Sequence, residues 1–380
     1  MSIAPGGSEE LKFRDPARAR ALAAALAREV SAVGRSPISV MHVCGSHEQS
    51  IARFGLRAAF PKDLQVIMGP GCPVCVTDMP EVDEAVALAL QGVRVATYGD
   101  MMKVPGTVKS LADAQGEGGR IEVVYSVQQA VDLAAKHPAD EVVFFASGFE
   151  TTAVVTAAVL VNGVPKNFSV LSAHKYIPPA MEIVAEMPDT HIEGFLAAGH
   201  AAAITGAAVF EPFVKRHGIP VVVGGFEPLD VLAALLKLVE LIKEGRAEVA
   251  NMYPRVVTWG GNKAAQAKLW NVFRPIGGRW RGIAHIPNGN LRLRDEWAHV
   301  DARRRFAIDV AELWNYAPAG LAQKCICGDI MAGVRQPTDC ELFGKECAPE
   351  TPVGACMVSS EGSCKIWHTY GGVPDLREVR

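Results

Sequence analysis

The sequence lacks the features that draw a protein into a membrane or onto nucleic acid. No uncharged apolar run approaches the ~20 residues that a transmembrane helix needs, and residues 1–14 contain no apolar core of signal-peptide length. The formal net charge is only -3, so no strong overall field attracts a polyanion or an anionic lipid surface. We therefore expect a cytoplasmic protein that binds neither nucleic acid nor a membrane.

Nucleotide-binding motifs are also missing. The chain has no G-x-x-x-x-G-K-[ST] loop and no convincing G-x-G-x-x-G followed by an acidic partner, so nucleotide-driven chemistry has little support. What the sequence does contain is nine cysteines. In a reducing compartment, metal ligation or redox chemistry explains them better than a framework of disulfides does.

Length and patterning indicate several α/β units. At 380 residues the chain exceeds one ordinary core and should divide into two or three domains. Short apolar runs alternate with glycine-containing turns and helix-compatible stretches, which is typical of βα units and a parallel sheet. We predict strands at residues 38–43, 64–68, 93–97, 121–125, 142–146, 168–172, 194–198 and 220–223, and the best-defined helices at 80–91, 127–137 and 229–244.

The strand pattern stops near Asn251, and the remainder is rich in Gly and Pro turns. The predicted fold is therefore two Rossmann-like parallel-sheet α/β domains followed by a loop-rich, mostly helical iron-sulfur domain. The first domain should open with a helix that Asp15 caps, with Pro16 at its first position and Gly34 at its end. We place the limits of the three domains at 1–125, 126–255 and 256–380.

Six of the nine cysteines fall in the last segment: Cys325, Cys327, Cys340, Cys347, Cys356 and Cys364. Thiolates without histidine suit a soft metal, either an iron-sulfur cluster or structural zinc. Zinc sites usually show paired C-x2-C knuckles, whereas the only close pair here is Cys325-x-Cys327, so a cluster is favoured. Spacing alone does not select the four ligands. The two remaining thiols are either inert or a dithiol that exchanges electrons with the cluster.

The three N-terminal cysteines follow the first two predicted strands. Cys44 opens Cys44-Gly-Ser-His-Glu48, and Cys72 and Cys75 belong to Gly69-Pro-Gly-Cys-Pro-Val-Cys75. Ligand sites form at the carboxyl ends of parallel strands, so the three thiols can meet at that edge. A C-x-x-C pair can cycle between dithiol and disulfide or clamp a soft metal.

His47 and Glu48 stand close to Cys44 in the sequence. His47 is a candidate proton acceptor, hydrogen-bond donor behind a ligand, or metal ligand. Packing or capping within the turn is the plainer alternative for this histidine. A zinc site made from the three N-terminal cysteines and His47 also stays open.

Polar side chains follow three further predicted strands. In Gly148-Phe-Glu-Thr-Thr152 the candidates for ligand binding are Glu150, Thr151 and Thr152, although helix capping is the default explanation for the two threonines. His174 and His200 end two more strands. Structural hydrogen bonding explains these histidines equally well.

Taken in order along the chain, these motifs resemble those of the HypD family of hydrogenase maturation proteins. The likeness rests on Cys44-Gly-Ser-His-Glu48, Gly69-Pro-Gly-Cys-Pro-Val-Cys75 with Pro80 after it, Gly148-Phe-Glu-Thr-Thr152 and Phe168-Ser-Val-Leu-Ser-Ala-His-Lys175. The tail spacing Cys325-x14-Cys340-x6-Cys347-x16-Cys364 is similar to the cluster-binding spacing of the family and leaves Cys327 and Cys356 outside. Several long motifs in one order, from about residue 38 to 372, are far more specific than a single C-x-x-C.

The resemblance implies an assembly scaffold rather than a turnover enzyme. Members of the family pair with the small protein HypC, and together they hold an iron atom while two cyanides and one carbon monoxide are attached. The cyanides come from HypE, which receives their precursor from HypF, and the hydrogenase large subunit is served indirectly.

The resemblance also implies residue roles. Cys44 is the thiolate ligand of the iron that carries the cyanides and the carbon monoxide, and Cys72 and Cys75 are a redox dithiol beside it. The side chains around that iron are His47, Glu48, Glu150, Thr151 and Thr152. A 4Fe-4S cluster that supplies electrons is bound by Cys325, Cys340, Cys347 and Cys364.

Two rival functions remain open on the residues alone. One is a soluble oxidoreductase whose cluster reduces the disulfide of Cys72 and Cys75 for a protein substrate. The other is a zinc-stabilised interaction protein with no redox role. Metal content separates the second rival from the other two functions, and infrared bands of cyanide and carbonyl on iron separate the scaffold from the oxidoreductase.

Overall fold

Parallel β-sheets and helices make up most of the structure, a computed structural model that describes residues 13–188, 190–308 and 320–372. The strands are β1 Ile38–His42, β2 Leu64–Met68, β3 Arg94–Thr97, β4 Ile121–Val123, β5 Val142–Gly148, β6 Phe168–His174, β7 Gly194–Ala198, β8 Val221–Gly224, β9 Val249–Asn251, β10 Phe273–Trp280 and β11 Ala284–Leu293.

The α-helices alternate with the strands along much of the chain. They are α1 Pro16–Ala32, α2 Gly45–Arg53, α3 Pro73–Val76, α4 Met79–Leu90, α5 Leu111–Gly116, α6 Val127–Lys136, α7 Glu150–Val161, α8 Ile177–Glu186, α9 Gly199–Thr205, α10 Glu211–His217, α11 Pro228–Glu244, α12 Lys263–Val272, α13 Ala302–Phe306, α14 Cys327–Met331, α15 Ala355–Val358 and α16 Ser363–Tyr370. No helix in the described ranges combines the length and the apolar character that crossing a bilayer requires.

The first sheet has the strand order β2-β1-β7-β8-β9, and all of its pairings are parallel. The long helices α1 and α11 pack against each other beside it, where Leu26 and Val30 join Leu235 and Leu238 in one buried cluster. The strands therefore have apolar residues on consecutive positions, as strands covered on both faces require.

The second sheet has the order β4-β3-β5-β6 and is parallel as well. Every residue of β5 and β6 is buried. The hairpin of β10 and β11 lies beside β6, with Ser172 Oγ donating to the Leu291 carbonyl at 2.7 Å. That contact, together with Arg292 and Arg303 on the Ser172 carbonyl, covers the edge of the sheet.

All eight predicted strands are confirmed, and so is the parallel α/β class. The first helix begins as predicted, with the Asp15 carboxylate accepting hydrogen bonds from the backbone of Ala17 and Arg18. Two features were missed: the short strand β9 and the hairpin of β10 and β11. Half of β10 is exposed and it contains Pro275 and a double glycine, so it shows neither an apolar run nor a clean alternation.

The two sheets are not contiguous in sequence. The first sheet takes β1 and β2 from before residue 125 and β7, β8 and β9 from after it, while β3 to β6 form the second sheet around that position. Sheet membership and independent folding are different properties, so the predicted limits at 125 and 255 stay a prediction.

The described residues of the C-terminal segment form short helices and turns. Residues 320–372 contain α14, α15 and α16 with 3₁₀ turns at Gly320–Lys324 and Pro337–Asp339. This segment packs on the first sheet rather than standing apart, because α16 contacts α2 and α15 contacts α3. It thereby reaches the loops that follow β1 and β2.

Candidate functional site

The candidate site lies where the carboxyl ends of strands from both sheets meet the C-terminal segment. In parallel sheets these ends share one edge, so the loops that follow the strands are neighbours in space. The side chains contributed there are Cys44 after β1, Cys72 and Cys75 after β2, Glu150 after β5, His200 after β7 and Phe226 after β8.

Cys44 is the residue directly before α2 and has a backbone in the extended region. Its thiol is buried, and its Sγ lies 4.0 Å from Nδ1 of His200. Burial, reinforced by the negative charge of Glu361, raises the pKa of Cys44 to about 12. Without a cation the thiol therefore stays protonated, whereas a soft metal would bind the thiolate directly.

The loop of Cys72 and Cys75 packs directly on Cys44. The backbone of Gly45 donates to the Gly71 carbonyl at 3.0 Å. A β-carbon at Gly71 would lie 2.1 Å from the Cys44 nitrogen, so only glycine permits this approach. The predicted meeting of the three N-terminal cysteines at one sheet edge is thus seen in the backbone contacts.

Cys72 and Cys75 form a disulfide. Cys72 directly precedes α3, a single helical turn that begins at Pro73, and Cys75 lies within that turn. Both residues are buried, and Cys75 Sγ lies 4.0 Å from the Ala355 carbonyl in the C-terminal segment. Their redox function stays a prediction.

Glu48 was predicted to lie among the side chains around the iron, but its carboxylate is bound by three other side chains. Its carboxylate accepts hydrogen bonds from His42 Nε2 at 2.8 Å, Arg57 Nη2 at 2.6 Å and Trp367 Nε1 at 2.7 Å. Burial opposes ionisation, but the charge of Arg57 and the bond from His42 lower the pKa of Glu48 to about 2. The residue joins β1, α2 and α16 as a buried anion.

His47 points towards β8 rather than towards the thiol of Cys44. Its Nε2 lies 3.0 Å from the Gly225 carbonyl, and its ring packs on Phe226 with centroids 4.8 Å apart. Burial, together with the neighbouring His42 and His200, lowers the pKa of His47 to about 3. It is therefore a neutral imidazole near physiological pH.

The loop after β5 places Glu150 at the first position of α7. Its carboxyl is fully buried, accepts a hydrogen bond from the Ile177 backbone at 3.0 Å and has a second oxygen, Oε2, without a partner among the described residues. Burial raises its pKa to about 7. Thr151 and Thr152 follow in the first turn, half-buried, and neither side chain caps the helix.

The two other predicted histidines differ in their surroundings. His174 is buried and its Nε2 lies 3.1 Å from Thr156 Oγ1. This contact agrees with the prediction of a structural, hydrogen-bonded histidine. His200 instead faces Cys44, and its ring packs on Phe226 with centroids 5.0 Å apart. Phe226 therefore contacts the imidazoles of His47 and His200 together.

Glu361 is a site residue that the sequence reasoning missed. Its carboxylate accepts a hydrogen bond from Ser46 Oγ at 3.0 Å, and its charge acts on both Cys44 and His200. Burial raises the pKa of Glu361. The contact joins segments more than 300 residues apart, so no local pattern predicts it. The sequence signal available was the position of Glu361 three residues before Cys364.

The six C-terminal cysteines line one small cavity with a mostly apolar wall. The wall includes Ile330, Leu342, Phe343 and Met357. Among the six, Cys327 and Cys356 are in direct contact, with their sulfurs 2.7 Å apart. The four predicted cluster ligands and the two remaining cysteines therefore share a single pocket.

This donor set can be tested for fit to a cluster. Across the described ranges, no three His, Cys, Asp or Glu side chains converge closely enough to hold a single metal ion. Thiols spread around an apolar cavity suit a cluster, since each thiolate then binds a different iron atom. The six cysteines around this cavity therefore fit the chemistry of an iron-sulfur cluster.

Comparisons with known proteins cover nearly the whole chain. A family model of HypD, described as the hydrogenase formation hypA family, matches residues 17–371. The hydrogenase maturation factor HypD of Azotobacter vinelandii is 42% identical over 372 residues, with 95% of this chain and 96% of that protein covered. The protein of the same name from Cupriavidus necator is 41% identical over 378 residues, covering 96% and 97%. That of Rhodobacter capsulatus is 38% identical over 369 residues, covering 95% and 97%.

Proposed function

The chain belongs to the HypD family of hydrogenase maturation factors, and from that premise we propose that it is the scaffold on which the Fe(CN)2CO group of nickel-iron hydrogenases is assembled. It acts with HypC, which contributes the second thiolate. HypE delivers the cyanides that HypF prepares. The protein carries the iron as cargo and serves as an assembly scaffold rather than as an ordinary turnover enzyme.

One observation carries the proposal: a buried cysteine thiol lies at the junction of both sheets, beside a disulfide and opposite an imidazole. Thiolates are strong ligands of iron with diatomic ligands, and such an adduct needs a protected site. Cys44 supplies the thiolate in this account. His200, 4.0 Å from the sulfur, accepts or returns the thiol proton.

The surroundings of Cys44 support this assignment. The carboxyl groups of Glu150 and Glu361 both act electrostatically on His200, and one oxygen of Glu150 has no hydrogen-bond partner among the described residues. These two groups can hold protons released when ligands are attached. His47 and Phe226 exclude water from the same corner through their ring contacts. Glu48 holds α2, and hence Cys44, in place.

The electron path is proposed to start at a 4Fe-4S cluster bound by Cys325, Cys340, Cys347 and Cys364. When bound, the cluster supplies single electrons that it receives from a low-potential donor. Cys327 and Cys356, whose sulfurs lie 2.7 Å apart, line the same cavity, and the neighbour of Cys356, Ala355, lies against Cys75. As a dithiol, this pair can reduce the disulfide of Cys72 and Cys75 by thiol–disulfide exchange and become a disulfide itself. Two electrons from the cluster, with two protons, would then restore the pair to two thiols.

The final acceptor in the protein is the disulfide of Cys72 and Cys75. Its reduction breaks the S–S bond, takes up two electrons and two protons and yields two thiols. The backbone contact between the Cys72 loop and the segment of Cys44 keeps the dithiol beside the iron-bound group on which it acts.

The test compares wild type with Cys44→Ala, each co-expressed with HypC and purified without oxygen. We expect Cys44→Ala to lose the infrared bands of cyanide and carbonyl on iron while keeping the brown colour of the cluster. Ser50→Ala, which also truncates a buried polar side chain close to Cys44 in α2, is the matched control and should retain bound iron with both ligands. Bands that persist in Cys44→Ala would mean that another residue holds the iron.

A further inference from the structure

Arg281 occupies the tip of the hairpin between β10 and β11, and it is buried. Only 8% of the residue is exposed. Its neighbour two positions earlier, Arg279, has the same charge but keeps 59% of its side chain exposed. One hairpin thus presents one buried and one solvated arginine.

Arg281 is attached to the end of the helix turn that contains Cys75. Its backbone nitrogen donates to the Val76 carbonyl at 3.1 Å, and its Nε donates to the Thr77 carbonyl at 2.7 Å. These two bonds fix the guanidinium beside the disulfide loop.

The same hairpin tip touches the C-terminal cysteines. Gly282 follows Arg281, and a β-carbon at Gly328 would lie 2.0 Å from the Gly282 carbonyl oxygen. The two backbones are therefore in direct contact, and Gly328 is the residue after Cys327. The guanidinium is held between the disulfide of Cys75 and the cavity of the six cysteines.

In the part of the chain that the structure describes, no carboxylate forms an ion pair with Arg281. Among the described residues its Nη2 is buried without a hydrogen-bond partner. The carboxylates of Asp78 and Asp83 act on it electrostatically, and so do the thiols of Cys325 and Cys327. Burying an arginine without an ion pair is unfavourable, and a neutral donor would serve the Thr77 carbonyl as well. The charge is therefore explained best if an anionic group faces Nη2.

We propose that Arg281 is a fixed positive charge that raises the reduction potential of the iron-sulfur site formed by the C-terminal cysteines. The inference rests on the proposed cluster and assigns it a regulating residue. A cluster with four thiolates is an anion, and reduction by one electron adds one negative charge. A cation held nearby stabilises the reduced form more than the oxidised form. Arg281 acts through the cluster and is a positioning residue rather than a catalytic one.

The experiment is an anaerobic redox titration of the cluster, followed by electron paramagnetic resonance, in the full-length protein. Arg281→Gln removes the charge, Arg281→Met does so with an unbranched apolar chain in case Gln disturbs folding, and Arg281→Lys keeps the charge. Arg279→Gln is the matched control. Far-UV circular dichroism and iron and sulfide content are measured for every variant.

We expect the neutral variants to need a more negative potential for half-reduction. At the wild-type midpoint the ratio of reduced to oxidised cluster should fall about tenfold, equivalent to about 59 mV for one electron. Arg281→Lys and Arg279→Gln should stay at the wild-type value. An unchanged midpoint in a folded neutral variant, or an equal shift in Arg281→Lys, overturns the inference. Wild-type protein without iron and sulfide would instead refute the proposed cluster itself.

Discussion

At the scale of single residues, burial decides the protonation of the side chains near Cys44. Cys44, Glu150 and His47 are all fully buried or nearly so, and burial favours the neutral form of each. Glu48 is the exception, because Arg57 and His42 keep it anionic. Near neutral pH the thiol of Cys44 therefore keeps its proton and the carboxyl of Glu150 keeps its proton in part, whereas Glu48 is a buried anion that links its neighbouring elements.

Glu150 makes stability depend on pH. Its pKa is about 7 in the folded protein against an ordinary value of 4.5, so the folded state binds more protons between these values. The free energy of unfolding of wild type, relative to Glu150→Gln, should fall by about 3 kcal/mol as pH rises from 4.5 to above 7. Urea denaturation of both proteins across that pH range measures the difference.

The control for Glu150 is Glu211, which also occupies the first turn of a helix but is exposed. Glu211→Gln should follow the wild-type pH dependence. A constant difference between wild type and Glu150→Gln from pH 4.5 to 8 would contradict the raised pKa.

Residue types near a strand end could be predicted from the sequence, but their orientation could not. Cys44 and the Cys72 and Cys75 pair were expected at one edge, because parallel strands end together. Glu361 and the distinct positions of His47 and His200 depend on contacts between distant segments. No local periodicity encodes such contacts.

At the scale of secondary-structure elements, Glu48 links α2 to β1 and α16. Removing its charge leaves Arg57, only 10% exposed, without its buried counterion. The hydrogen bond from Trp367 Nε1 then goes to a neutral amide instead of a carboxylate. Glu48→Gln should lower the free energy of unfolding at pH 7 by about 3 kcal/mol. Chemical denaturation measures it.

An exposed ion pair provides the control for Glu48. Glu117 pairs with Lys109, and both side chains are more than a third exposed. Glu117→Gln should change stability by less than about 0.5 kcal/mol. If Glu48→Gln were as mild as this control, the buried carboxylate would not hold these elements together.

The hairpin of β10 and β11 shows why some elements escaped prediction. Its inner face is anchored by Phe273 and Trp280, while the strand between them is largely exposed and interrupted by glycine. Its conformation depends on packing against β6 and on the contacts of Arg281 and Gly282. Tertiary contacts of this kind override a weak local pattern.

At the scale of the whole molecule, the C-terminal segment completes the site rather than forming a remote appendage. Ala355 lies against Cys75, Glu361 against Ser46, and Trp367 against Glu48. A cluster bound in this segment would therefore stabilise the tail and the junction of the two sheets together.

Loss of one proposed cluster ligand tests this coupling. Cys340→Ala should bleach the brown absorbance and lower the midpoint of thermal unfolding by about 5 °C or more. Cys327→Ala, outside the proposed ligand set, should keep the absorbance. A Cys340→Ala protein with full cluster absorbance would show that the ligand choice is wrong.

The parallel α/β class and the positions of the strands followed from apolar runs and turns, whereas the mixing of early and late strands in the first sheet did not. The insertion of β3 to β6 between β2 and β7 separates the paired strands β1 and β7 widely in sequence, with Val40 opposite Gly194. Apolar runs do not say which strand pairs with which. The family resemblance, and not the strand pattern, is the basis for the cargo that we propose.

The central claim is that this chain holds iron with cyanide and carbonyl ligands in complex with HypC. The most direct test is an infrared spectrum, with iron and sulfide analysis, of the anaerobically purified protein expressed with and without HypC. Our account predicts bands in the cyanide and carbonyl stretching region, and one iron beyond the four of the cluster, in the complex. A cluster without those bands would leave a dithiol oxidoreductase, and zinc in place of iron would contradict the account altogether.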